Sequence, residues 1–462
     1  MTKHDYSIPK EKYCSPACLI VSDLVLREDL ATLKKGLGKL LSKHYSHKFL
    51  GGVKSQDEIM HIIENMDDTQ TWWYDGIEIG RFDFETKKNL KDIISYFDLY
   101  VRNINSSYLA IEVHIYFSDN FIKKINQVID SDIDKPKTYI TYSFKHSKKK
   151  SGGKTVFSLC NYNEAYQKSD RIFEEMTAVK WLFFSYLQRF FPTCNHVNGR
   201  VPPSVLIYKT NINYEDDTYK DFWLSLGLSK VNGQSIDDAS KMFFMYELSG
   251  RYEKYFTSDM VYLYNEDLIE QERGFYTKDY YVVYKLSSTC LMDILKFNLL
   301  NVYNTYYARM VVKYRTKLNK IKLNKNKLHS LLKLRYRFEK EMDSYLRYCD
   351  GEHWDDSKEK IDNFFENKDN PVGYKYTYIM SPRNAMDNIK KQINNVVMDF
   401  DIKTSVLQHL SNYKNESKNR KINFIMLALT SLTLVFVIFP NWSDVVADWI
   451  SNLINWIKNL LI

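Results

Sequence analysis

Between Pro382 and Pro440 the chain has neither glycine nor proline. With both backbone breakers missing, nothing in that stretch interrupts a helix, and a loop-rich segment is excluded there. A continuous helix over Arg383–Phe439 would rise roughly 85 Å at about 1.5 Å per residue. Charge of either sign is missing from Asn423 to Trp442, and acids are nearly missing from residues 313–340, where Glu339 is the one carboxylate. The six cysteines (Cys14, Cys18, Cys160, Cys194, Cys290 and Cys349) show no framework spacing, which excludes a disulfide scaffold and points to reduced thiols. Catalytic signatures are lacking too. Gly153-Lys154-Thr155 matches only the end of a phosphate loop, because Lys148 stands where the first glycine is required and a strand follows where a helix should. There is no nucleophile elbow, helical metal-ligand pair or paired-cysteine motif, so no enzymatic activity is expected. The polar, charged amino terminus argues against a secretory leader.

What is present is a chain of 462 residues with a net charge of +8, long enough for two or more compact units. Residues 1–284 read as an α/β region with a possible subdomain break near 132–137. Strands are predicted at Cys18–Leu26, Tyr108–Phe117, Val205–Tyr208 and Asp279–Lys285, and Thr138–Phe144 with Val156–Cys160 forms a hairpin. Helices are predicted over Glu28–His44, Ser55–Met66, Thr86–Ile104, Asp119–Ile129, Glu164–Phe191, Thr218–Leu226 and Ser235–Phe256. Their alternation with the strands indicates an α/β domain. The hairpin tip carries Lys148, Lys149, Lys150 and Lys154, which reads either as a solvated turn or as a contact for an acidic ligand, lipid or nucleic acid.

Residues 285–380 read as a long helical region. Leu331, Leu334, Phe338, Met342, Tyr345 and Cys349 recur at coiled-coil steps, and the outer face bears Lys325, Lys327, Lys333, Arg335, Arg337 and Lys340. That face is either solvated or turned to an anionic surface. Asp350–Asp356, with His353, is either a capped turn or a divalent-cation site. Residues 381–421 form a stalk helix whose seam is Met386, Ile389, Ile393, Val396, Phe400, Leu407 and Leu410, broken once by Lys403. A basic cluster (Lys414, Lys418, Arg420, Lys421) precedes the charge-free stretch. Residues 422–440 are predicted to be a transmembrane helix, with Thr430, Ser431 and Thr433 bonded back to carbonyls one turn earlier. The positive-inside rule then places residues 1–420 in the cytoplasm, at the cell inner membrane. In residues 443–462, Asp444, Asp448, Asn452, Asn455 and Asn459 form a polar stripe opposite an apolar one. This segment is either a second crossing or an interfacial amphipathic helix.

This order of parts, from about Lys285 to Ile462, resembles the CorA-type metal-ion transporter superfamily. The resemblance implies a homo-oligomer, five copies in that family, whose first spans line a cation pore and whose cytoplasmic domains bind a divalent cation. The external Gly-Met-Asn signature is absent, and in Phe439-Pro-Asn-Trp442 only Asn441 matches its asparagine. Pore-lining candidates are Asn423, Met426, Thr430, Thr433 and Asn441, and Asp444 with Asp448 would make an external acidic ring.

Two functions are expected. The first is a CorA-like homo-oligomer whose cytoplasmic sensor domain is coupled through the stalk to a cation-conducting or bilayer-perturbing tail. The alternative is a membrane-tethered binding module, such as a bacterial defence or stress effector, recognising nucleic acid, a nucleotide or a foreign protein.

Overall fold

The structure, a computed structural model, describes residues 7–47, 56–64, 76–83, 88–131, 138–144, 155–161, 167–194, 201–228, 233–235, 244–249, 258–266, 291–322, 327–350, 353–365 and 380–438, excepting 106 and 215, together with 448, 451, 452 and 455. The chain divides into two compact units. One is Met1–Ala308 with Ser344–Ile389, and the other is Arg309–Asp343 with Lys390–Ile462.

The first unit opens with β1 (Cys14–Leu26), α1 (Leu30–His44), β2 (Tyr45–His47), α2 (Gln56–Glu64), β3 (Gly76–Asp83) and the short α3 (Lys88–Lys91). β4 (Ile94–Asn105), β5 (Tyr108–Phe117), α4 (Asp119–Asp130), β6 (Thr138–Phe144), β7 (Thr155–Asn161) and α5 (Gln167–Leu187) follow. β8 (Ser204–Thr210), α6 (Lys220–Ser225), β9 (Gly233–Ser235), β10 (Phe244–Ser249) and β11 (Ser258–Asn265) complete the sheet region. Nine strands form one sheet in the order β2-β3-β4-β5-β1-β8-β11-β10-β9, and β6 pairs with β7 separately. Within the large sheet only β8 and β11 run parallel; the other pairs are antiparallel.

The expected α/β alternation is therefore corrected to a mixed, mainly antiparallel sheet. Two segments account for the difference. Residues 94–104 of the strand β4 are expected from sequence to be helical because Ile94, Phe97 and Val101 sit at three- and four-residue steps. The same stretch also alternates Phe97, Leu99 and Val101 with Tyr96, Asp98, Tyr100 and Arg102, and cross-strand pairing with β3 and β5 selects that period-two pattern. Likewise β9 and β10 replace part of the helix expected over Ser235–Phe256. The strand expected at Asp279–Lys285 lies outside the described residues.

The odd-numbered face of β4 and β5 joins the main core, where Phe97 stacks edge-on against Phe183 of α5 at 4.9 Å. α4 is capped by Ser118, whose hydroxyl accepts from Phe121 N–H, rather than by Asp119, and Phe121, Ile125 and Ile129 turn one face inward at four-residue steps. In α1 a Cβ on Gly36 would lie 2.4 Å from the Phe190 carbonyl oxygen, so only glycine permits that approach.

Among the described residues four further helices follow: α7 (Leu291–Lys320), α8 (Leu328–Tyr348), α9 (His353–Phe365) and α10 (Ser381–Ile438). In the first unit α7, α8 and α10 meet at Asn304. Its amide donates to the Pro382 carbonyl at 2.8 Å, and its oxygen accepts from the Tyr345 hydroxyl at 2.6 Å. A buried amide with both ends satisfied fixes helix register without leaving an orphan polar group.

In the second unit Tyr314 meets Phe338 at 5.2 Å and Phe338 meets Phe400 at 5.7 Å, so the inward faces of α7, α8 and α10 close on one aromatic column. The stalk seam is thus consumed inside a single chain: Ile393, Val396, Phe400 and Leu407 are buried. Lys403, which interrupts the seam, donates to the Leu318 carbonyl at 2.6 Å, where the Ile321 N–H also donates at 3.1 Å, and so places a cation at the carboxyl end of α7.

The membrane reading is corrected. Among the described residues no helix is long and apolar enough to cross a membrane. The described part of α10 runs to Ile438, and its charge-free residues 422–438 rise about 25 Å against a hydrocarbon core of roughly 30 Å. Asn423, Thr430, Ser431 and Thr433 divide that part further. The transmembrane helix expected at 422–440 falls, and the ion-transport and inner-membrane readings built on it fall with it. Residues 443–462 lie outside the described residues except Asp448, Ser451, Asn452 and Asn455.

Candidate nucleic-acid interface

Charge is distributed unevenly between the two units. The second unit holds twenty Lys and Arg against eight Asp and Glu, and the remainder of the chain holds 45 against 49. The excess is concentrated where α7 ends and α8 begins. On α7, Lys313, Lys317 and Lys320 recur at four- and three-residue steps, which places them along one side of the helix. On α8, Lys333, Arg337 and Lys340 do the same. All six are exposed, as are Lys322 and Lys327 in the turn between the helices. None of the eight has a carboxylate partner among the described residues. Nearby cations that do have one are tied down. Arg335 bonds Glu339 at 2.7 Å and Asp401 at 2.5 Å, and Arg315 lies 3.7 Å from Asp399.

Tyr336 stands within the basic stretch of α8, between Lys333 and Lys340, and is 66% exposed; Leu332, one turn before it, is half-exposed. The helix supports both features because its opposite side is filled by Leu331, Phe338 and Met342, all buried. That leaves a helix presenting cations without carboxylate partners around an exposed ring; of the wider set, Lys317 lies 5.2 Å over the Tyr314 ring. Cations of this kind neutralise phosphates, and an exposed aromatic offers a face on which a base can stack.

A second charged cluster lies on the face of β3, β4 and β5 turned away from the main core, and it is closed; a bulge between Glu78 and Gly80 brings Arg81 to the same face as Glu78. Arg81 holds Asp98 with bonds of 2.8 and 2.9 Å, and Arg102 holds Glu112 with bonds of 2.7 and 3.1 Å. His114 Nε2 lies 2.7 Å from Glu112 Oε1, while its Nδ1 has no hydrogen-bond partner among the described residues. Burial alone would raise the Glu112 carboxyl, but Arg102 and His114 hold it down, at about 2. Burial pushes the Glu78 carboxyl up, and Tyr100 donates to it at 3.1 Å. The Arg81 guanidinium sits 4.0 Å over the Tyr96 ring. The charges of this network are spent on one another. A cleft of about 450 Å³ lies elsewhere, between α4 and α5, with Lys124 and Glu175 paired at 2.6 Å across it. Lys180 of α5 bonds the Ser204 hydroxyl at 3.1 Å, but both residues are buried, so no substrate reaches that pair.

The residues singled out from sequence are scattered. Lys148, Lys149, Lys150 and Lys154, together with Asn441 and Asp444, lie outside the described residues. Asn423, Met426, Thr430 and Thr433 are exposed on α10, with the two threonines bonded to the Met426 and Leu429 carbonyls at 2.7 and 2.8 Å. Asp448 is exposed. The basic outer face of α8 was legible in the sequence; Lys313, Lys317, Lys320 and Tyr336 were not singled out. The signal for them was the missing acid over residues 313–340, which leaves those cations unpaired. Among the described residues no group of three or more His, Cys, Asp or Glu is placed to hold a metal ion. Comparison with protein-family models, curated proteins and solved structures yields no match.

Proposed function

We propose that the protein binds single-stranded nucleic acid through the basic end of α7 and α8. The observation that carries this reading is the set of eight exposed cations without carboxylate partners, from Lys313 to Lys340, with Tyr336 exposed among them. In water an unpaired ammonium is cheap to keep, and a line of them attracts a polyanion at long range. Engaging about five phosphates of a single strand gives a log–log salt slope of about −3.5.

The test is fluorescence anisotropy of a labelled single-stranded oligonucleotide with the full chain, titrated across salt concentrations. Steep weakening with salt supports the reading. So does the loss of binding when Lys317, Lys320, Lys333 and Arg337 are changed to Glu. Absence of binding at low salt overturns it, as does equal binding by that charge-reversed variant.

A further inference from the structure

Around Glu78 the charged face of β3, β4 and β5 holds more carboxylates than guanidiniums. Register sets Glu78, Tyr100, Glu112 and Ser22 in one row across β3, β4, β5 and β1, and Arg81, Asp98, His114 and Ile20 in the next. Arg81 grips Asp98 and Arg102 grips Glu112, each through two bonds. Glu78 stands apart from these pairs. Among the described residues it has neither a guanidinium nor an imidazole on it, and its carboxylate accepts from the Tyr100 hydroxyl at 3.1 Å. On β2 the residue in register with Arg81 is His47, and Asp83, opposite Tyr96 at the far end of β3, adds a further carboxylate.

Balance around Glu78 therefore needs one more proton, and two groups can take it. His114 accommodates it badly. The imidazole is fully buried, Nε2 already meets Glu112 at 2.7 Å, and Nδ1 has no hydrogen-bond partner among the described residues. A proton on both ring nitrogens would leave a buried N–H orphaned, which is costly. Glu78 accommodates it well. It is half-buried, so solvent protons reach it, and while one carboxyl oxygen accepts from Tyr100 the other is left to carry the proton.

We propose that Glu78 is a proton-sensitive latch of the sheet: protonated, it closes the charge balance of this face, and ionised, it leaves an unanswered negative charge near Asp98 and loosens β3. That strand is placed to respond. Only the short β2 lies beyond it, pairing at Arg81 and Phe82, so residues 76–80 have no outer strand partner among the described residues. The bulge between Glu78 and Gly80, where Gly80 takes a φ of 148°, weakens the ladder further at that point. Burial pushes the Glu78 carboxyl up more than the Tyr100 bond holds it down, and Asp98 adds to the rise. A raised folded-state value contributes stability that is complete below the ordinary 4.5 and is lost as pH rises through the folded value. Glu112, held down, works in the opposite sense, so the two carboxyls bracket a mildly acid optimum. This inference does not rest on nucleic-acid binding.

Amide hydrogen exchange of the full chain, corrected for the intrinsic pH dependence of exchange, tests the latch. From about pH 4.5 to about pH 8 the protection of β3 in the unsubstituted chain falls several-fold. Glu78→Gln, which keeps an oxygen for Tyr100 and carries no charge, matches the wild type at the acid end and holds that protection at the alkaline end. Tyr100→Phe removes a bond that favours the ionised carboxyl and moves the fall to higher pH. Constant protection of β3 in the wild-type chain overturns the proposal, and that measurement needs no variant. An equal fall in Glu78→Gln overturns it as well. So does a fall that vanishes in His114→Gln but persists in Glu78→Gln, which puts the proton on the imidazole.

Discussion

The sheet face of the first unit and the basic end of the second treat the same side-chain chemistry in opposite ways. On the sheet, Arg81 and Arg102 each grip a carboxylate with two bonds, and Glu112 also meets His114. Water is excluded there, with Asp98, Glu112 and His114 almost fully buried, so an unmatched charge would cost several kcal/mol. On α7 and α8, Lys313, Lys317, Lys333 and Arg337 stand in solvent without a carboxylate beside them. Charge density alone therefore does not mark a binding surface in this molecule. What separates the two regions is whether the charge is already answered inside the fold. The sheet network is committed to stability, and the helical surface remains open to an outside anion.

That contrast can be broken most sharply at Arg102. Arg102→Met leaves Glu112 buried with half of its compensation, and urea unfolding should show a loss of about 3–5 kcal/mol. Arg337→Met on the open surface should change the same measurement by less than about 0.5 kcal/mol. Acid supplies a second contrast of somewhat smaller size. Glu112 is held below its ordinary 4.5, at about 2. A depressed folded-state value contributes stability that is complete above the unfolded value and is lost as pH falls from about 4.5 through about 2. The urea midpoint should drop over that window, and much less so in Arg102→Met. On the open side, Tyr336→Ala should cost about 1–3 kcal/mol of single-strand affinity by anisotropy while leaving thermal unfolding unchanged. A smaller loss than at Arg102 is expected at Lys403→Met. Removing the donor to the Leu318 carbonyl should lower stability by about 1 kcal/mol with nucleic-acid affinity unaltered.

The helical architecture was readable from local pattern to a useful degree. The step rule placed Ile393, Val396, Phe400 and Leu407 on one face of a long helix, and all four are buried. It did not reveal what that face meets, because a period of three and four residues is equally satisfied by a neighbour in the same chain or by another copy. Residues 94–105 show the converse difficulty. Their apolar positions fit two periods at once, and only pairing with β3 and β5 distinguishes them. Lys403 breaks the apolar repeat in the sequence, and in the fold its ammonium meets the end of α7. The charge-free stretch after Lys421 has the length of a bilayer span in the sequence, but among the described residues no helix is long and apolar enough to cross one.

From the sequence by itself came the breaker-free helix after Pro382, its apolar repeat, the missing acids of residues 313–340 and the absence of catalytic signatures. Each is a property of near neighbours along the chain. Tertiary structure alone decided that the sheet is mainly antiparallel, that the first apolar seam is spent within one chain, and which cations lack a partner. Those outcomes depend on side chains brought together from distant positions, as with Arg335 and Asp401 or Phe338 and Phe400. A local repeat can state that a face must be covered, but only the folded chain shows by what.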